Sequence, residues 1–169
     1  MDVRVLTIQR IVPPYRLRFF EAMARSGNID LALAYGQPSA QSALHSVDPP
    51  VDAAYYPLNN RFFGSNEGAV WSTGLLRLIS KRRFDVAIAE FNPRILSNVV
   101  ACLLARVTGI PFIWWGHGLS PGSRDDDWIT RLRIWLIRLS NAVILYEDGM
   151  AQRLAALGVA SSKIFVARN

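Results

Sequence analysis

The chemistry-bearing residue types in this chain concentrate around Gly116-His117-Gly118. Imidazole titrates near neutral pH and can take a proton from a hydroxyl, so His117 is a candidate general base. Gly116 and Gly118 let the backbone turn sharply and leave the ring unobstructed by neighbouring side chains. The chain has one other histidine, His45. Glu90, in Glu90-Phe91-Asn92, is the second candidate: its carboxylate could orient a sugar or the histidine, or cap a helix beginning near Pro93. For both residues a purely structural role is the competing reading.

Two further segments complete the set, Gln9-Arg10 and Tyr146-Glu147-Asp148. No glycine-rich phosphate loop follows the first strand. The helix start at Pro13-Pro14-Tyr15-Arg16 could still hold an anion through backbone N–H groups, aided by Arg10, Arg16 or Arg18. Asp125-Asp126-Asp127 has the composition of a magnesium or manganese site. It also immediately precedes a helix, where carboxylates cap free N–H groups and oppose the dipole; capping is the preferred reading, and no metal site is expected.

These segments follow strands. Short apolar runs mark strands at Val3–Ile8, Ile29–Tyr35, Tyr55–Leu58, Phe84–Ala89, Ile110–Trp115, Ala142–Leu145 and Ile164–Val166. Helical patterns cover Tyr15–Arg25, Ser72–Lys81, Ile95–Thr108, Trp128–Leu139 and Gly149–Leu157, with Gly109 and Gly158 as stops. Residues 36–52 read as a long surface loop and 61–68 as irregular. Strands alternating with helices predict a three-layer, Rossmann-like α/β domain, its mostly parallel sheet covered by helices on both faces. In such a sheet the residues just past each strand converge on one edge, where ligands bind. Arg10, Glu90, Asn92, Gly116, His117, Gly118, Tyr146 and Glu147 all fall there.

The 169 residues suffice for one domain with its own core. The net charge of +6 suits anionic partners such as phosphates, sugar nucleotides or acidic lipids. Basic residues are dispersed and no nucleic-acid motif occurs, so nucleic acid is not an expected partner. Cys102, the single cysteine, is expected to be a buried structural thiol. No apolar run approaches the roughly 18 residues of a membrane span. Met1-Asp2-Val3-Arg4 leads straight into a strand, and a cytoplasmic protein without a signal peptide is expected.

On a helical wheel of Trp128–Leu139, the residues Trp128, Leu132, Trp135, Leu136 and Leu139 form a core-type stripe, while Ile134 and Ile137 fall among Arg131, Arg133 and Arg138. Apolar groups mixed with arginines suit a membrane surface or a partner; a helix buried on two sides is the alternative. Arg77, Lys81, Arg82 and Arg83 form a second basic candidate contact.

Several stretches together resemble the N-terminal domain of a GT-B glycosyltransferase of the family-4 type. Ile110–Ser120 is similar to that family's Gly-Ile-Pro strand leading to a His-Gly turn. Ala142–Leu145 with Gly149–Gly158 resembles a later strand and helix, and the segment from Ser162 to Asn169 its Lys-Ile-x-Val-x-x-Asn run. Pro13-Pro14-Tyr15-Arg16 and Phe84–Ala89 also sit where the family would have them. The likeness implies that residues 1–169 are the acceptor-side half of a retaining, metal-independent enzyme. That enzyme would use a nucleotide-sugar as co-substrate and no other cofactor. The histidine matching His117 would contact donor sugar or acceptor, and the loop from Arg10 through Tyr15 to Arg16 would approach the donor phosphates. Two departures stand out: Pro14-Tyr15 occupies the place of a frequent glycine pair, and Tyr146-Glu147-Asp148 that of a common serine. The family's second, donor-binding domain would follow Asn169.

The resemblance thus implies transfer of a sugar to a glycan or lipid-linked acceptor in surface polysaccharide or glycolipid synthesis. The donor domain would be supplied in cis or trans, and the protein would be peripheral at the inner face of the membrane. The alternatives are one subunit of a split glycosyltransferase, a non-catalytic glycan-, lipid- or nucleotide-binding module and, last, an unrelated flavodoxin-like domain.

Overall fold

The computed structural model describes every residue except 1, 41, 44, 65–67, 82, 121 and 169. In chain order the elements are β1 (Val3–Ile8), α1 (Pro14–Ala24), β2 (Ile29–Tyr35), β3 (Ala54–Pro57), β4 (Asn59–Phe63), β5 (Ala69–Thr73), α2 (Leu75–Ser80), β6 (Val86–Glu90), α3 (Leu96–Thr108), β7 (Phe112–Gly116), α4 (Trp128–Leu139), β8 (Ala142–Leu145), α5 (Asp148–Ala156) and β9 (Ile164–Val166). Seven strands form one sheet in the order β3-β2-β1-β6-β7-β8-β9, every neighbouring pair parallel. The domain is the Rossmann-like α/β fold that the alternation predicts.

Strand residues alternate between two cores. Leu6, Ala87, Phe112, Trp114 and Val143 point to one face, where α2, α3, α4 and α5 cover them. Leu31, Leu33 and Trp115 point to the other, where Phe20 of α1 packs. The helix layers are therefore unequal. The connection after β2 is polar and punctuated by proline, and Val47 and Ala53 from that segment complete the second core beside α1.

Three details depart from the sequence reading. The segment 61–68 is not wholly irregular: β4 pairs antiparallel with β5, outside the main sheet. The half-exposed run Asn-Asn-Arg-Phe-Phe lacks the apolar continuity that reveals a buried strand. Consequently Ser72 and Thr73 belong to β5, and the helix expected from Ser72 begins only at Leu75.

The third departure rotates a helix. Thr130, Ile134, Leu136 and Ile137 are the buried residues of α4, while Trp128 and Trp135 face solvent. Of the stripe that the wheel assigned to the core, only Trp128 and Trp135 turn outward; Leu136 is buried, and Leu132 and Leu139 are partly buried against the core. Arg133 also turns inward, so it does not belong to a basic outer face. Arg82 and Asn169, invoked in the basic contact and in the family resemblance, lie outside the described residues. Cys102 is buried, and burial pushes its thiol up to about 12.

Candidate functional site

The order of the sheet reverses between β1 and β6, so their carboxyl ends open the crevice where open α/β sheets bind ligands. Here the Arg10 N–H donates to Glu90 Oε2 at 3.2 Å. Glu90 thus ties the two strand ends together. Its own carbonyl accepts from Asn98 Nδ2 at 3.1 Å, so neither group caps the start of α3. Asn92 Oδ1 accepts the Arg94 N–H at 3.1 Å and shapes the turn into that helix.

Arg16, in the first turn of α1, joins the ends of β1 and β8. Its guanidinium donates to Gln9 Oε1 and, at 2.7 Å, to the Tyr146 hydroxyl. It also lies over Trp115, 4.9 Å from the ring centroid. Two of five N–H donors are used in these bonds, which leaves others for an anion. Tyr15, beside it, is exposed, with the Arg16 guanidinium 5.8 Å from its ring centroid. The Tyr146 phenol is raised above its ordinary value by burial first, with Arg16 opposing and Glu90 adding to the shift. It stays a neutral hydroxyl at physiological pH.

Tyr146 also meets the histidine. The His117 and Tyr146 rings are 4.8 Å apart in an edge-on arrangement. His117 is exposed, and among the described residues neither ring nitrogen has a hydrogen-bond partner. Together with Leu119, Glu147 and Met150 the pair lines a small depression of about 50 Å³. Glu147 is exposed at the entry to α5. On the α1 side, Trp115 helps line an apolar groove of about 120 Å³ with Thr7, Phe19 and Met23 among its walls.

The turn that presents His117 differs in detail from the sequence reading. Gly116 completes β7 instead of breaking it, close against Phe91, where an added Cβ would lie 3.3 Å from the Phe91 Cβ. The sharp conformation belongs to Gly118, at φ +74°, with Leu145 and Met150 both 3.0 Å from the place a Cβ would occupy. Arg133 Nη1 donates to the Gly118 carbonyl at 2.8 Å. Burial lowers the Arg133 guanidinium from its ordinary value, with Arg94 contributing. Arg133 is a contact of this site that sequence reasoning did not assign to it, whereas Gln9 falls in the strand-end set as expected. For Arg133 the only signal was its place on α4, which the wheel turned outward.

The aspartates before α4 do not cap it. Asp125 pairs with Arg153 at 2.6 Å and Asp126 with Arg124 at 3.1 Å. Asp127 stands at the N-cap position, but its carboxylate accepts the Arg124 N–H at 3.2 Å and no side-chain cap forms. Arginine side chains take the first two carboxylates and a backbone N–H takes the third, so none is left for the helix N–H groups.

A wholly parallel sheet with its order reversed at β1 and β6, and with polar side chains gathered at that edge, is a Rossmann-like domain of the GT-B type. The chain belongs to glycosyltransferase family 4, whose model matches residues 15–169. Among curated proteins none matches the sequence. Solved structures with the same fold include S. aureus MnaA with UDP, at 15% identity and a TM-score of 0.67, covering 98% of this chain and 44% of that one. The UDP-GlcNAc 2-epimerase of Neisseria meningitidis, bound to UDP-GlcNAc, has 15% identity and a TM-score of 0.60 over 97% of this chain and 46% of its own. HepE of Anabaena, in complex with UDP and glucose, has 14% identity and a TM-score of 0.60 over 99% and 44%. The chain therefore spans less than half the length of these structural neighbours.

Proposed function

We propose that this chain is the acceptor-side domain of a glycosyltransferase that moves a sugar from a nucleotide-sugar donor to a glycan or lipid-linked acceptor. The observation that carries the reading is the cluster Arg16–Tyr146–His117 at the carboxyl edge of the sheet. A guanidinium with unused donors suits a phosphate of the donor, and an exposed imidazole suits a sugar or acceptor hydroxyl. Arg10 and Tyr15 border the same edge. In this reading Glu90 and Asn92 hold the strand-end turns that shape the cleft, Gly116 and Gly118 shape the turn presenting His117, and Glu147 lines the depression beside it.

The nucleotide is held between this domain and a second one, joined in cis or supplied in trans. The lengths of the structural neighbours, more than twice the span matched here, support that arrangement. The family resemblance supports a retaining course. The pairing of Asp125 and Asp126 with arginines supports a metal-independent one, in which side chains meet the charge of the leaving phosphate. The pathway class is surface polysaccharide or glycolipid synthesis, at the cytoplasmic face of the membrane.

The test joins the domain to a nucleotide-binding second half and follows the sugar into acceptor and donor products. Transfer that collapses in His117→Ala supports the reading. Epimerised donor with no transfer to any acceptor would contradict it.

A further inference from the structure

The outer surface of the α3–α4 layer is apolar where a surface helix is ordinarily polar. On α3, Leu96, Val100, Leu103 and Val107 are all exposed, and their spacing places them on one face. Val107 is 84% exposed. On the adjacent α4, Trp128 and Trp135 stand two turns apart on the outer side, 72% and 49% exposed. The inner faces are already occupied, by Ala101, Cys102 and Ala105 of α3 and by Ile134 and Ile137 of α4. Two neighbouring helices thus carry a second apolar stripe that the fold itself does not use.

Within the two helices the charge has one sign. Arg106 is the sole charged residue of α3, and α4 contains Arg131, Arg133 and Arg138; neither helix contains a carboxylate. Arg133 is turned inward to Gly118, while Arg106 and Arg131 are exposed beside the stripes. Arg77 and Lys81, on and just after α2, add exposed positive charge on the far side of α3. Three acids immediately precede Trp128: Asp125 and Asp126 are engaged by Arg153 and Arg124, Asp126 also feels Arg131, and Asp127 accepts the Arg124 N–H.

We propose that the outer face of α3 and α4 docks on an anionic phospholipid bilayer. Tryptophan and aliphatic side chains settle at the boundary between headgroups and acyl chains, and flanking arginines meet the lipid phosphates. A second copy of the chain fits this face less well, because symmetric pairing would set arginine-bearing, carboxylate-free helices against each other. The amino ends of both helices, at Leu96 and Trp128, follow the carboxyl ends of β6 and β7, the edge that carries His117. Docking would therefore set the candidate site beside the membrane. That link to a lipid-linked acceptor rests on the transfer reading; the docking rests on the helix surface alone.

The experiment is co-sedimentation of the chain with vesicles of phosphatidylcholine alone and of phosphatidylcholine mixed equally with phosphatidylglycerol. Binding is expected only to the mixed vesicles, weakening with salt. The double substitution Trp128→Ser, Trp135→Ser is expected to weaken it by at least about tenfold. Arg106→Gln and Arg131→Gln are each expected to weaken it about fivefold. All four side chains are exposed, and circular dichroism checks that the variants fold. Because two independent sets of variants are used, a folding failure in one leaves the other decisive. Absence of binding to anionic vesicles, or binding that both sets leave intact, would overturn the proposal. So would a concentration-dependent dimer that the tryptophan substitutions abolish without any vesicle binding. Vesicle binding that persists while a two-domain enzyme shows no transfer would overturn the transfer reading and leave this one standing.

Discussion

The Arg16 guanidinium donates to the Tyr146 hydroxyl at 2.7 Å, although 130 residues separate the two in the chain. The bond ties the start of α1 to the end of β8 across the sheet, and Tyr146 in turn stands against His117. Removing the hydroxyl in Tyr146→Phe takes away an acceptor for a charged donor, at a cost of about 1.5–3 kcal/mol. Arg16→Ala is expected to cost at least as much, since it also removes the bond to Gln9 and the stacking on Trp115. Urea unfolding of the two variants checks this. Stability equal to that of the parent would show that the bond does not hold the edge together.

Gly118 is expected to resist any side chain. An alanine there would adopt a left-handed backbone at about 1–2 kcal/mol, and its Cβ would press on Leu145 and Met150 at 3.0 Å. Gly118→Ala should therefore lower the unfolding midpoint and shift the His117 ring away from Tyr146, seen as changed ring resonances of both. A variant of parental stability with unchanged resonances would mean the turn tolerates a side chain.

The Gly118 carbonyl has its own partner in Arg133. Arg133→Met keeps an unbranched apolar stem without the guanidinium and leaves that carbonyl unpaired, for a loss of about 1–3 kcal/mol. Hydrogen exchange in residues 116–119 should rise along with it. Protection that stays at the parental level would place the support of the turn elsewhere.

Stability should fall on the alkaline side. Burial pushes the Cys102 thiol from 9.0 and the Tyr35 phenol from 10.0, each up to about 12. Both folded values lie above the unfolded ones, so each contribution is full below the unfolded value and disappears as pH rises toward about 12. The acid limb has the opposite sign: Arg4 holds the exposed Asp85 carboxyl down to about 2 from 3.8, so that contribution is present above 3.8 and lost as pH falls through about 2. Denaturation followed against pH tests the first window, and Cys102→Ala should flatten part of it. In the native protein at neutral pH the thiol should resist alkylation; rapid alkylation without unfolding would contradict its burial.

Much of this architecture is legible in the amino-acid order because a parallel sheet buried on both faces needs uninterrupted apolar strands. Val3–Ile8, Ile29–Tyr35 and Ala142–Leu145 have the boundaries their composition indicates. Once the strands are placed, a parallel sheet brings the ends after β1, β6, β7 and β8 to one edge, and the site candidates follow. The orientation of α4 is not legible, because both of its faces carry large apolar residues and only packing on the sheet selects Ile134 and Ile137 for the inside. The partners of the aspartates and of Arg16 are likewise hidden. Arg153 reaches Asp125 across 28 positions, and Gln9 and Tyr146 approach Arg16 from opposite ends of the chain.

The most direct test of the central claim is the turnover of a two-domain enzyme containing this chain, compared between the parent and His117→Ala with donor and acceptor saturating. A loss of about 10²–10⁴ in kcat, with the fold intact by circular dichroism, is the expected result. Parental turnover in His117→Ala would contradict the role given to the imidazole and move the chemistry away from the edge that Arg16, Tyr146 and His117 form.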